Sequence, residues 1–151
     1  MTEQTQSSIV INASASEVMA VIADLPAYPQ WSDGITSVQV LSKFEEDGRP
    51  ADARFQLASG PIKDTYELEY DWDGDRKVTW TLTTADILTA MDGCYELTPN
   101  GDGTTTVAYR LSVDVKIPMI GMIKRKAEKV IIDTALKGLK ARVESGAATD
   151  R

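Results

Sequence analysis

The apolar positions change their period along the chain, and each change marks an element. Ser7 to Asn12, carrying Ile9, Val10 and Ile11, read as a first strand. Ser14-Ala15-Ser16-Glu17 follows, a capping box in which Ser14 accepts from the Glu17 backbone N–H and the Glu17 side chain reaches back to Ser14. Val18, Val21, Ile22 and Leu25 then recur at helical spacing. Pro26 and Pro29 stop this helix, because proline lacks the N–H and restricts its predecessor. Tyr28 and Trp31 fall in the break, on a short second helix or turn.

From Ile35 to Val115 the period is two. Ile35–Lys43, Ala51–Leu57, Lys63–Trp72, Lys77–Leu82, Ala90–Thr98 and Thr104–Val115 read as strands. Between them lie turn formers such as Asp73-Gly74-Asp75 and Pro99-Asn100-Gly101-Asp102-Gly103, where Gly supplies positive φ and Asp and Asn bond their own backbone. Thr83–Thr89 is the joint with the weakest signal. Tyr66, Leu68, Tyr70 and Trp72 share one face, opposite Glu67, Glu69 and Asp71; Val107, Tyr109, Leu111, Val113 and Val115 share another, opposite Ala108, Arg110, Ser112 and Asp114. Each sheet face of this kind is buried on one side and wet on the other.

After Pro118 the helical period returns and holds to Glu144, roughly 27 residues or about 40 Å. Ile120, Ile123, Ala127, Val130, Ile131, Thr134, Ala135, Leu139 and Val143 form its apolar stripe, Gly146 ends it, and Ala147–Arg151 are loose. Short loops between successive strands favour antiparallel neighbours. The last helix is the one element long enough to cover the apolar face of the sheet. The expected architecture is α+β: a curved antiparallel sheet of about seven strands wrapped around the C-terminal helix, with two short helices after the first strand.

The 151 residues make one domain, 1–151 with its core in 7–145. A net charge of −7 argues against nucleic acid as a partner, since that affinity comes largely from neutralising phosphates. The chain has no His, which removes His-based acid–base catalysis, Ser-His-Asp and Cys-His arrangements, and imidazole-dependent zinc sites. Cys94, the lone cysteine, makes no intrachain disulfide and no Cys-rich metal site. No metal and no cofactor are expected. Met1 to Ser8 lacks the basic start and apolar run of a secretory signal, and no stretch reaches spanning length, so a cytoplasmic protein is expected.

The chain has 3 Trp, 5 Tyr and 2 Phe, and Phe55, Tyr66, Tyr70, Trp72, Trp80, Tyr95 and Tyr109 all fall in strands. Tyr and Trp fill a core poorly unless their O–H or N–H finds a partner. Two readings stay open: a packed core with polar tips at the sheet ends, or an incompletely closed interior that admits a small apolar ligand. As acid–base groups, Tyr66, Tyr95 and Tyr109 could donate to an enolising carbonyl, but hydrogen-bonded core tyrosines are the plainer reading. Asp86 and Asp92 read as turn aspartates, Arg54 and Arg110 as parts of a solvated sheet face, and Cys94 as a small filler.

Several segments together carry a family resemblance. They are Ser8-Ile9-Val10-Ile11-Asn12-Ala13 with Val18, Val21, Ile22 and Asp24; Tyr28-Pro29-Gln30-Trp31; Gly93, Tyr95, Leu97 and Pro99; Gly103-Thr104-Thr105-Thr106-Val107-Ala108-Tyr109; and Leu136 to Glu144. In order and spacing the chain resembles the helix-grip superfamily of START domains, Bet v 1 type allergens, bacterial polyketide cyclase/dehydrase-like proteins and coenzyme-Q-binding START relatives. It looks most like the polyketide cyclase/dehydrase-like group of actinobacterial type. The resemblance covers Ser7 to Glu144 and implies a ligand pocket between sheet and long helix. By the apolar register Phe55, Leu57, Tyr66, Leu68, Trp80, Met91, Tyr95, Tyr109, Leu111, Ile123, Ala127, Val130 and Thr134 would line it, with Trp31 near one end. The polar set that the family's cyclases place in the cavity is not matched here residue by residue, so no catalytic residue is carried over.

Carriage of a lipid-like or polyketide-like molecule is the first expectation. An aromatase/cyclase or dehydratase in the same cavity is the alternative, and an interaction module using the outer sheet face is a third, each acting as monomer or homodimer. Met119, Ile120 and Met122, next to Lys124, Arg125 and Lys126, suggest a weak membrane-surface contact near the cavity mouth, against the plainer reading of a solvated helix face.

Overall fold

The computed structural model describes residues 4–32, 34–59, 62–116 and 121–145. Strand β1 (Thr5–Ile11) leads into helix α1 (Ala15–Ala23) and a 3-10 helix (Leu25–Gln30). Strands β2 (Ile35–Lys43), β3 (Pro50–Ser59), β4 (Ile62–Asp73), β5 (Lys77–Ala85), β6 (Leu88–Pro99) and β7 (Thr105–Val115) follow, and helix α2 (Gly121–Glu144) closes the chain. The expected helix-grip α+β architecture is present: a seven-stranded sheet in the order β1-β7-β6-β5-β4-β3-β2, every pairing antiparallel, with α2 against it.

Local chemistry sets the joints. Both halves of the capping box form: Glu17 N–H donates to Ser14 Oγ at 3.2 Å, and Ser14 N–H donates to Glu17 Oε1 at 3.3 Å. The helix stops earlier than the sequence suggests, and the prolines fall in the element after it. α1 ends at Ala23, and Pro26 and Pro29 lie inside the 3-10 helix, which takes Leu25 out of α1. Gly74 turns β4 into β5 with φ of 54°, a left-handed conformation that a side chain would strain. Register shifts in β2/β3, between Glu67 and Leu68, and between Leu88 and Ala90 place bulges along the sheet, the devices that bend strands.

The weakly signalled Thr83–Thr89 segment is a tight joint: β5 runs on to Ala85 and β6 starts at Leu88. Its backbone is held by a side chain that sequence proximity does not reveal. The Asp64 carboxylate, buried on β4, accepts from the N–H groups of Asp86, Ile87 and Leu88 at 3.1, 3.1 and 3.0 Å.

Helix α2 packs on β1, β7 and α1. Its expected stripe needs correction. The sheet-facing positions are Glu128, Ile132, Ala135, Leu136, Leu139 and Val143, whereas Ile123, Ala127, Val130 and Ile131 are exposed. The reason is rotational: a set of apolar residues wider than one face left the register open, and the seat on β1 and β7 is chosen by Glu128. That carboxylate, 1% exposed, accepts from Thr5 Oγ1 at 2.6 Å and Val113 N–H at 2.7 Å, and from the Lys124 ammonium. Pro118 to Ile120, the Gly146 stop and Ala147–Arg151 lie outside the described residues.

Candidate functional site

The inner face of the sheet carries a continuous run of aromatic rings. It is built by cross-strand register: Phe55 faces Tyr66, Tyr70 faces Trp80, and Tyr95 faces Tyr109. Phe55 and Tyr66 stack with centroids 5.3 Å apart and planes 5° apart. Tyr70 bridges Phe55 at 6.5 Å and Trp80 at 6.0 Å. Trp80 then meets Tyr95 at 5.3 Å and Tyr109 at 5.7 Å, and those two tyrosines lie 4.5 Å apart. At the other end Tyr28 joins Phe55 at 6.2 Å to Trp31 at 4.7 Å.

Glycines make room at both ends of this run. Gly93 faces Trp80 across β5 and β6, and a Cβ there would stand 2.2 Å from the indole, so the ring lies directly over the glycine. Gly138 on α2 lets the Trp31 carbonyl approach; a Cβ there would stand 2.2 Å from that oxygen.

The polar tips separate into two kinds. Tyr28 is satisfied, its hydroxyl donating to the Ile22 carbonyl at 2.5 Å. The hydroxyls of Tyr66, Tyr70, Tyr95 and Tyr109 have no hydrogen-bond partner among the described residues, although each residue is buried. Trp31 Nε1 is the one fully enclosed side-chain polar atom among them that lacks a partner, so the four hydroxyls keep contact with accessible space. Burial raises the pKa of all four phenols above the ordinary tyrosine value, which holds them neutral.

Of the residues named from sequence, Phe55, Tyr66, Leu68, Trp80, Tyr95, Tyr109 and Leu111 lie in one buried cluster. Trp31, Leu57 and Met91 pack against it half-buried. Thr134 is half-buried on α2, while Ile123 (54% exposed), Ala127 and Val130 (60%) face outward. Tyr70 belongs to the cluster although the sequence-derived lining omits it; the alternation that singles out Tyr66 and Leu68 places it on the same face. Tyr28 sits in the proline break, where no period operates, and its ring contacts cannot be read from spacing.

On the outer face Arg54 pairs with Glu67 at 2.9 Å and Arg110 with Glu96 at 2.8 Å, while Arg110 Nη2 stands 3.6 Å from the buried Cys94 Sγ. Asp86 and Asp92 are exposed. No group of three or more His, Cys, Asp or Glu among the described residues is placed to hold a metal ion. No helix among them is long and apolar enough to cross a membrane.

Residues 2–144 match the sequence profile of the family described as polyketide cyclase/dehydrase and lipid transport. The chain belongs to this family. No match was found among curated proteins. Solved structures of the same fold include a START superfamily protein from Mycobacterium smegmatis, with 24% identity, TM-score 0.88, and coverage of 95% of this chain and 99% of that one. A protein from Thermus thermophilus superposes with TM-score 0.77 at 21% identity, covering 95% of this chain and 98% of that one. The aromatase/cyclase ZhuI from a Streptomyces species does so with TM-score 0.74 at 14% identity, covering 95% and 94%. At these identities the likeness is one of fold, and a fold shared by carriers and cyclases does not choose between them.

Proposed function

We propose that this member of the polyketide cyclase/dehydrase and lipid transport family binds and carries a hydrophobic small molecule between the inner sheet face and α2. The observation that carries the reading is the set of four buried phenols whose hydroxyls have no partner among the described residues and open on accessible space. Polar groups that open on space inside a cluster of buried rings take a partner from whatever fills that space. A ligand supplying acceptors gives one. Leu57, Leu68, Met91 and Leu111 would contribute apolar area around them, at about 25 cal/mol per Å² buried.

Cyclase or dehydratase activity is the second reading, and the same phenols favour it in part. They can polarise a carbonyl by donating to it. They cannot take a proton as bases, because burial holds them neutral and moves their ionisation further from the working range. A positioned base, which ring closure or dehydration needs, does not appear among the residues of the cluster, so carriage stands first.

Native mass spectrometry on protein isolated gently from its host tests the reading. A small molecule is expected to travel with the protein, or an environment-sensitive apolar dye to enter the emptied protein. Neither happening overturns it.

The reading includes a weak contact with an anionic membrane surface beside the site. Met122, Ile123, Arg125 and Lys126 are exposed on the first turns of α2. Lys124 does not contribute, because its ammonium is taken up by Glu128 and stands 3.9 Å from Asp114. Met119 and Ile120 lie outside the described residues. Flotation with phosphatidylserine vesicles at low salt is expected to recover a fraction of the protein, and Arg125→Glu with Lys126→Glu to abolish it. No flotation of the unaltered chain removes this contact.

A further inference from the structure

The sheet has two outer strands, and the chain treats them differently. β1 and β2 each pair with a single neighbour, β7 and β3, so alternate N–H and C=O groups of both point away from the sheet. On β1 such groups are taken up by α2. Lys140 Nζ donates to the Val10 carbonyl and the Asn12 N–H donates to Glu144 Oε2, both at 2.9 Å, while Lys129 Nζ reaches Ser7 Oγ at 3.4 Å. A strand approaching β1 would have to displace these side chains.

β2 has no such cover. Ile35 N–H donates to the Ser32 carbonyl at 3.2 Å. Beyond it, nothing among the described residues bonds the backbone of residues 36–43 outside the β3 ladder. The 3-10 helix leans on β2 from the inner face, where Tyr28 lies 6.2 Å from Phe55, the β3 partner of Val38. Thr36, Ser37, Gln39, Leu41, Ser42 and Lys43 are exposed. Edge strands are ordinarily guarded by proline, lysine or an inward charge. β2 has no proline, and residues 35–42 carry no charge. Register shifts at Ile35/Ser37, Val40/Ser42 and Ser42/Lys43 bend its ends and leave residues 37–40 in unbroken register with 56–53. Leu41 and Phe44 stand beside this run, apolar and 38% and 36% exposed.

We propose that β2 is a docking edge for a second copy of this chain, joining two sheets through an antiparallel β2–β2 pair about a two-fold axis at Gln39. A two-fold interface must be complementary to itself, and an antiparallel strand pair meets that condition. Val38-Gln39-Val40 reads the same in both directions. With the axis at Gln39, Val38 of one copy faces Val40 of the other on the inner side, and Ser37 faces Leu41 on the outer side. Residues 36–42 are uncharged, so the pairing sets no like charges of β2 against each other. Arg54, which donates to Gln39 Oε1 at 3.4 Å, is already paired with Glu67. A paired run this short buries a small area, so the dimer is weak, with a dissociation constant of about 10 μM to 1 mM.

Sedimentation velocity over about 10 μM to 1 mM checks this. The unaltered chain is expected to pass from monomer to dimer over that range, and the amide N–H groups of residues 36–42 to exchange more slowly in the dimer. Gln39→Lys and Gln39→Glu each set like charges against each other across the axis. Each is expected to weaken the dimer about tenfold or more and to leave Tm nearly unchanged, since Gln39 is exposed. The two variants mixed in equal amounts are expected to recover the dimer, an ammonium then meeting a carboxylate. A chain that stays monomeric up to about 1 mM overturns the proposal and leaves the edge to a strand of another protein. Variants that dimerise like the unaltered chain overturn it by placing the contact elsewhere. Loss of the dimer in both variants with no recovery on mixing overturns the axis at Gln39.

Discussion

Asp64 lies on β4 and holds the turn between β5 and β6 through three backbone N–H groups. Desolvation alone would push its pKa up, but the backbone donors at Leu88, Asp86, Ile87 and Thr65 outweigh that, and the pKa lies below the ordinary aspartate value. A carboxyl depressed in the folded state contributes stability that is fully present above its unfolded pKa of about 3.9 and is lost as the pH falls through the folded value. Asp64→Asn, which keeps the shape and removes the charge, is expected to lower unfolding stability by about 1–3 kcal/mol at neutral pH. The gap to the unaltered protein should close in acid, below both pKa values. Urea titrations at neutral pH and at successively lower acid pH check this; a gap that does not shrink as the pH falls would mean the charge is not what holds the turn. Gly138 sets two effects against each other. Alanine improves an exposed helix position by about 0.8–1.0 kcal/mol over glycine. Here its methyl would meet the Trp31 backbone carbonyl at 2.2 Å, and backbone cannot swing aside as a side chain can. Overpacking of this kind costs about 1–3 kcal/mol or more, so Gly138→Ala is expected to destabilise, read as a lower urea midpoint at unchanged slope.

At the scale of elements, the strands were legible because period two is strict where one face is buried. Tyr66, Leu68 and Tyr70 are buried between the less buried Glu67 and Glu69, so their order alone fixed the face. The capping box was legible because its partners are three residues apart. The register of α2 was not. Ile123, Val130 and Ile131 are apolar yet exposed, and Glu128 is charged yet buried, so the first half of the helix misleads, whereas Ala135, Leu139 and Val143 are buried as their spacing predicts. Only the meeting of β1, β7 and α2 shows why: Thr5, Val113 N–H and Lys124 complete the carboxylate from three different elements. The candidate site was partly legible for the same reason. Its strand residues follow from alternation, but their unpartnered hydroxyls are a fact about distant chain segments. Removing the Glu128 side chain leaves two donors and an ammonium without their acceptor, and loss of one member of a buried pair costs about 3–5 kcal/mol. Glu128→Ala is therefore expected to unfold at markedly lower denaturant. Replacing both members, Lys124→Met with Glu128→Met, should recover much of the loss, since a well-packed apolar pair is often no worse than the ion pair. If the double variant is as weak as Glu128→Ala, the bonds to Thr5 and Val113, and not the buried charge, are what seats the helix.

Over the whole molecule, α2 seats on β1, β7 and α1, while the 3-10 helix leans on β2 at the far edge of the sheet. The aromatic run crosses the inner face between these two supports, from Trp31 to Tyr109. Stability and binding are thus assigned to different residues. Gly138, Asp64 and Glu128 hold the frame; the Tyr95 and Tyr109 rings pack in the core, while their hydroxyls bond nothing among the described residues. A ligand that binds only the folded chain stabilises it by RT ln(1 + [L]/Kd), whatever the starting stability. An apolar probe carrying acceptor oxygens, at ten times its dissociation constant, should add about 1.4 kcal/mol. For a domain of this size that is a rise in Tm of roughly 3–6 °C. Gly138→Ala should melt earlier and yet gain nearly the same increment from the probe. Tyr95→Phe should melt close to the unaltered protein when empty, because its hydroxyl has no partner to lose, and gain less at the same probe concentration. The two variants are then moved in opposite ways by one experiment. If Tyr95→Phe melts several degrees lower when empty, its hydroxyl is bonded within the protein after all, and the ring belongs to the frame. If it melts normally and still gains the full increment, the phenol faces a guest that does not use it, and the donors must be sought at Tyr66, Tyr70 or Tyr109.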